Sequence, residues 1–238
     1  MVKIRAFRAI ENPERCERFM EGHRRVLDAV GVKKVTSSND EWATLPSTYV
    51  ILAESMDGEK VYGGARLQVA DGLNPLPLES AAGSMDERVY DLVRKYQPNG
   101  TAEVCGLWNS IEVAGMGIGS IFLIRAALAI SEQLSLNSMF ALCSPYTARI
   151  AGNYGFQVER SVGNDGTFYY PKIDLLATIV LQKDAPNLTN ASELETSRIF
   201  NLRKNPAQSV LEQAKRGTVE IDYDLRVKAV KAAFAKMY

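Results

Sequence analysis

Residues 102–156 read AEVCGLWNSIEVAGMGIGSIFLIRAALAISEQLSLNSMFALCSPYTARIAGNYGF. Residues 103–109 predict a strand, and the apolar run from Gly117 to near Leu134 predicts a helix. A second strand is predicted at 138–143, a short helix at 145–154, and a further strand at 156–161 after Gly155-Phe156. Gly115, Gly117 and Gly119 alternate just before the long helix. Glycines let a backbone approach a ligand closely with its N–H groups turned outward. The helix that follows adds free amides and the positive end of its dipole, which favour phosphate. The same glycines equally suit a tight packing turn. GMGIGS has no third glycine at the offset of a dinucleotide fingerprint, and no Gly-Lys-Ser/Thr follows as in a phosphate-binding loop.

Working outward toward the N-terminus, residues 2–10 alternate as a strand. Asn12 can cap a helix and Pro13 suits its first position. Cys16, Phe19, Met20, Leu27 and Val30 then recur at helical spacing as far as Gly31. Residues 32–45 read as a loop containing Trp42. Residues 48–54 and 60–69 read as strands joined by Asp57-Gly58, a hairpin signal. Residues 70–82 read as a long loop. Ser84 and Glu87 suggest a capping box for a helix over 85–96. Toward the C-terminus, residues 167–182 read as a strand region broken at Pro171. The character changes after Pro186. Residues 190–203 predict a polar helix, Asn205-Pro206 the start of another to Arg216, 219–223 a strand, and 224–238 a basic helix. Residues 1–186 thus form the main domain, and 187–238 an appendage packed on it that can add an edge strand.

Bulk properties exclude several classes. The chain has 238 residues, 46% of them apolar, enough for a sizeable core. Lys plus Arg number 28, matching Asp plus Glu at 28, so no overall field points to nucleic acid. No apolar run reaches the roughly 18 residues of a membrane span. The three cysteines lack a CxxC spacing and the N-terminus lacks a signal-peptide layout, so a cytoplasmic protein without disulfides is expected. His23 is the single histidine, which leaves no multi-histidine metal site, and no metal is expected.

The central stretch resembles the acyl-coenzyme A binding core of the GNAT superfamily of N-acyltransferases. In that family a strand leads into a turn of pattern Arg/Gln-x-x-Gly-x-Gly/Ala and then a helix. Gly117 and Gly119 match the two small positions, while Ala114 stands where the family has Arg or Gln. SMFALC, PYTARIAGNY and Gly155-Phe156 are similar to the family's later strand, helix and Gly-Phe. A narrower likeness is to homoserine-lactone autoinducer synthases and N-acyl amino acid synthases. Gly63-Gly64-Ala65-Arg66-Leu67 resembles their GxARL strand, and residues 103–107 a degenerate form of their Glu-x-Ser-Arg strand. The resemblance implies an α/β fold of the α+β type. Its central sheet would be mixed and mostly antiparallel, splayed at the cofactor site, with helices on both faces and a C-terminal helical appendage. It also implies a donor, acyl-CoA or acetyl-CoA, with an acyl carrier protein thioester as the other source, and a small-molecule amine acceptor such as an amino acid. Acyl length, acceptor and oligomeric state stay open.

Acyl transfer to an amine needs a proton acceptor, stabilisation of the developing oxyanion, and a route for the thiolate to leave. Glu103 on the central strand can take the amine proton, or equally serve as a paired strand carboxylate. Backbone amides of Leu107, Trp108 and Asn109 can face the acyl oxygen if this strand splays or bulges. The turn from Gly115 through Met116, Gly117, Ile118 and Gly119 to Ser120 would hold the pyrophosphate. The family's helix tyrosine, acid toward the thiolate, falls about four residues before the Gly, at Ala151 here. Tyr154 is the nearest candidate and suits core packing better. Arg66 has the planar fork that grips a carboxylate, the substrate-binding candidate. Cys105 and Cys143 read as core thiols, and His23 as a boundary residue. A different class stays open, a non-catalytic acyl-CoA-binding or interaction module on the same fold.

Overall fold

A computed structural model describes residues 1–32, 35–36, 39–113, 118–214 and 216–229. The chain starts with β1 (Val2–Arg8) and α1 (Pro13–Ala29), whose Asn12 side chain accepts from the Arg15 N–H at 3.2 Å. β2 (Thr48–Glu54) and β3 (Val61–Val69) form the hairpin signalled by Asp57-Gly58. α2 (Pro77–Ala82), α3 (Arg88–Tyr96), β4 (Thr101–Asn109) and α4 (Ser120–Gln133) follow. Then come β5 (Ser138–Cys143), α5 (Pro145–Gly152), β6 (Gln157–Val158), β7 (Thr167–Tyr169) and β8 (Leu176–Gln182). α6 (Glu193–Lys204), β9 (Ala207–Ala214) and β10 (Gly217–Asp224) close the described chain.

Among the described residues the strands make one sheet in the order β6-β8-β5-β4-β3-β2-β1-β10-β9, with β7 also paired to β8. The β4–β5 and β1–β10 pairs are parallel and the others antiparallel. Strand alternation sorts the core by face. Tyr49, Ile51 and Ala53 of β2 pack in the cluster that holds α4, whereas Val50 and Leu52 pack with Phe19 of α1. Phe140 of β5 faces a third cluster, made with α2 and α3. Helices therefore cover both faces of a mostly antiparallel sheet.

Several elements differ from the expectations. Residues 77–82 are helical rather than loop, because the Glu79 carboxylate caps the Leu76 N–H at 2.7 Å and Leu78, Ala81 and Ala82 bury one side. α3 begins at Arg88, not 85, and Asp86 rather than Ser84 supplies a carboxylate to the Arg88 N–H. Only residues 157–158 of the predicted 156–161 strand pair. Residues 207–214 form a strand instead of a helix, in unbroken register with β10 from Ala207↔Asp224 to Ala214↔Gly217. Pro206 fits a strand start as well as a helix start. Residues 225–229 are not helical, and the remainder of the predicted terminal helix lies outside the described residues.

Candidate active site

β4 and β5 pair only through Thr101↔Ser138, Ala102↔Met139 and Glu103↔Phe140, and then part. Beyond Glu103, β4 has no strand neighbour on that side among the described residues. Its other edge carries a bulge. Arg66 pairs Cys105 and Gly64 pairs Trp108, so β4 spends one residue more than β3 between these pairs. Gly106 takes φ +56 there, a conformation that a side chain resists. The extra residue resets the alternation. Glu103, Cys105 and Trp108 lie toward α1 and α2, and Leu107 packs with the α4 cluster.

A cavity of about 320 Å³ fills the opening, at the lower end of ligand-pocket sizes. Toward α1 and α2 its wall includes His23, Leu27, Pro77, Glu103, Cys105 and Leu142. Toward α4 and α5 it includes Val104, Ile124, Ala141, Cys143, Ala151 and Phe156. Tyr170, Pro171, Leu175, Leu176, Ala177 and Thr36 contribute to its rim. The lining is mainly aliphatic, with one carboxyl group at the vertex where the strands part.

That group is Glu103. It is 2% exposed, and its Oε2 accepts from the Leu78 N–H at 2.7 Å. Burial pushes its pKa up to about 8, with Glu79 adding to the rise and the Leu78 N–H and Arg66 opposing it. His23 is lowered to about 4 by burial and by Arg66, so it is neutral at pH 7. Burial raises Cys143 to about 12 and Cys105 to about 11, so neither thiol is an activated nucleophile.

The remaining sequence candidates fall in different places. Arg66 is 1% exposed and stacks 4.8 Å over the Trp42 ring. Its Nε donates to Cys105 Sγ at 3.1 Å, and its Nη1 has no hydrogen-bond partner among the described residues. It stands behind Cys105 and does not itself line the cavity. Leu107 lines the cavity. The Trp108 side chain points away into the cluster of Phe19 and Trp42, with 6.0 Å between the Phe19 and Trp108 ring centroids. Asn109 ties β4 to the start of α4, its Nδ2 donating to Ser120 Oγ at 2.6 Å. Gly119 precedes α4, and a Cβ there would lie 1.5 Å from Asn109 Oδ1. Ile118 is a core residue. Ala114, Gly115, Met116 and Gly117 lie outside the described residues, and α4 starts at Ser120 rather than Gly117. Tyr154 packs in the core, donates its hydroxyl to the Ile121 carbonyl at 3.1 Å, and is absent from the cavity wall. Ala151, at the position of the resembling family's tyrosine, does line it. Among the described residues no three His, Cys, Asp or Glu side chains gather as a metal site requires, and no helix is long and apolar enough to cross a membrane.

Sequence reasoning did not single out Thr36, Tyr170 or the residue 75–79 segment. These reach the cavity from the start of α2 and from two segments remote in the chain, and no local pattern ties them to Glu103.

No protein-family model and no curated protein sequence matches the chain. Solved structures do. FeeM, an N-acyl amino acid synthase from uncultured soil microbes, aligns over 83% of this chain and 98% of its own at 17% identity, with a TM-score of 0.59. The chain has an N-acyltransferase fold. Two further structures share it. BjaI, a CoA-dependent acyl-homoserine lactone synthase, aligns over 84% of this chain and 90% of its own at 14% identity and TM-score 0.54. An acyl-CoA N-acyltransferase from Pseudomonas aeruginosa aligns over 76% of this chain and 99% of its own at 14% identity and TM-score 0.53. In this version of the N-acyltransferase fold, the β4–β5 opening and the bulge at Gly106 bring free strand edge, buried carboxyl and apolar wall together.

Proposed function

We propose that this chain transfers an acyl group from a thioester to the amine of a small molecule by direct attack. The observation that carries the reading is Glu103, a buried carboxyl at the vertex of the β4–β5 opening, within an otherwise aliphatic cavity. The thioester lies across the opening with its diphosphate end toward the start of α4, where free helix amides favour anions. The acyl oxygen faces amides of the unpaired edge of β4 around Leu107, which stabilise the charge that develops there. Glu103, ionised, takes one proton from the neutral acceptor amine as it attacks. The amine nitrogen bonds to the carbonyl carbon, the carbon–sulfur bond breaks, and the thiolate leaves.

The aliphatic wall suits acyl chains longer than acetyl. The donor is acyl-CoA or an acyl carrier protein thioester, and Arg66, behind Cys105, suits an acceptor with a carboxylate such as an amino acid. Among the described residues, those lining the cavity all precede Pro186, which supports a reading in which residues 1–186 carry the chemistry and the rest braces it.

The test is thiol release from acyl-CoA of graded length, and from acyl carrier protein thioesters, with a panel of amines. Glu103→Gln is expected to lower kcat by about 10²–10⁴-fold. Wild-type kcat is expected to rise with pH through about 8, as Glu103 ionises. Failure of every donor, or unchanged turnover in Glu103→Gln, overturns the reading.

A further inference from the structure

The base is itself held by something. Among the described residues Glu103 Oε2 has no side-chain donor, and it accepts from the peptide N–H of Leu78. That N–H belongs to the same peptide group as the Pro77 carbonyl. The Pro77 carbonyl accepts from Thr36 Oγ1 at 3.2 Å. Thr36 is gripped in turn by Tyr170, whose hydroxyl accepts from the Thr36 N–H at 2.6 Å and donates to Thr36 Oγ1 at 3.0 Å. The donors run in one direction: Tyr170 O–H to Thr36, Thr36 O–H to the Pro77 carbonyl, and the Leu78 N–H to Glu103. A bond accepted by a peptide carbonyl polarises the N–H of that peptide, so the links reinforce one another. The rest of the segment is fastened as well. Gln68 Nε2 donates to the Pro75 carbonyl at 3.0 Å, and Glu79 accepts from the Leu76 N–H at 2.7 Å. Tyr170, Thr36, Pro77 and Glu103 all border the one cavity.

We propose that Thr36 and Tyr170 are positioning residues for Glu103. They orient and polarise the Pro77–Leu78 peptide that stabilises its carboxylate, and they couple the loop around Tyr170 at the cavity rim to the base at its vertex. The inference rests on the reading of Glu103 as the proton acceptor. Other titratable or charged groups around Glu103 are Arg66 of β3, Glu79 of α2, Cys105 of β4, Cys143 of β5 and His23 of α1. None of them bonds to Thr36 or Tyr170 among the described residues.

Thr36→Val keeps the shape and removes the donor to the Pro77 carbonyl. Tyr170→Phe removes the grip on Thr36. Each leaves the Leu78 N–H a poorer donor, so ionised Glu103 is less stabilised. The acid limb of the kcat profile is expected to move to higher pH by roughly half a unit to one unit. The double variant is expected to move no further than Thr36→Val alone, since the two act in series. Tyr169→Phe, exposed on the neighbouring strand, is expected to keep the wild-type profile. A readout without substrate is the ¹³C-carboxyl NMR titration of Glu103, identified by its loss in Glu103→Gln. Its midpoint is expected to rise in both variants. A wild-type or lowered midpoint in Thr36→Val overturns the proposal, and that variant suffices if Tyr170→Phe does not fold. If Glu103→Gln keeps full turnover, the catalytic reading falls and this inference with it. If Glu103→Gln is inactive while Thr36→Val titrates as wild type, the inference alone falls.

Discussion

A buried acid that grips its proton leaves a thermodynamic trace. Burial lifts the Glu103 pKa from the ordinary glutamate value of 4.5 to about 8 on folding, so the folded state binds the proton where the unfolded state has released it. The contribution of Glu103 to stability is therefore fully present below about 4.5 and is lost as the pH rises to about 8. Glu103→Gln keeps an acceptor for the Leu78 N–H and never ionises. Its Tm is expected to pull ahead of wild type as the pH is raised from 5 to 8, with the gap constant above that. Scanning calorimetry at several pH values checks this, and a gap that closes with rising pH would contradict it. Glu103 was singled out in the sequence by its place on the central strand and by the resemblance, with a paired strand carboxylate as the equal alternative, and its burial was not readable there. Its hydrogen-bond donor was not, because Leu78 comes from a stretch rich in proline, asparagine and glycine that reads as loop. Arg66 was legible as a binding candidate, but its depth was not, since burial depends on Trp42 arriving from another loop to cover it. Tyr154 shows the limit of spacing arguments. The helix predicted to reach it, α5, ends at Gly152, and its hydroxyl's engagement with Ile121 depended on how α4 packs.

At the scale of elements, the opening needs two defects in β4: early loss of β5 and an extra residue opposite β3. Gly106 makes the second possible. Gly106→Ala forces a side chain into φ +56 and sets a Cβ 3.2 Å from Phe19 Cζ. It is expected to lower stability by about 1–2 kcal/mol, read from the urea midpoint, and to cut turnover in the folded fraction by shifting the β4 amides. A midpoint equal to wild type would show that the bulge relaxes freely. The bulge could be foreseen as a condition for the chemistry, but its position needed the register with β3. Residues 205–216 failed the other way. AQSVLEQA offers good helix formers, and it becomes a strand because β10 provides a full ladder and Glu212 is drawn inward to a buried cation. Tertiary pairing overrides a weak local preference.

Across the whole molecule that cation is Arg125, with 0% of its surface exposed, on the helix whose start fronts the opening. Its Nε and Nη2 donate to Glu195 of α6 at 2.8 and 2.9 Å, and its Nη1 to Glu212 of β9 at 2.6 Å. Arg203 adds bonds to the Ala185 and Pro186 carbonyls, both at 2.6 Å. Arg125→Met leaves two buried carboxylates with Arg198 as their cation, at 3.5 and 3.7 Å, and is expected to cost about 3–5 kcal/mol. A chain cut after Pro186 strands the arginine instead and is expected to lose cooperative unfolding, measured by urea titration. A cooperative 1–186 fragment would show that the core is self-sufficient. The sheet topology also sets an order in time. β1 lies beside β10, Val2 against Ile221, yet the ribosome makes the two strands far apart. At about 5–20 residues per second, β1 waits on the order of ten seconds or more before β10 emerges. Until then its outer edge is bare, a template for pairing with any neighbouring nascent chain. Chains that stop before residue 217 keep that edge permanently. The hairpin of β9 and β10, remote from the cavity, thus protects the newborn chain from its siblings.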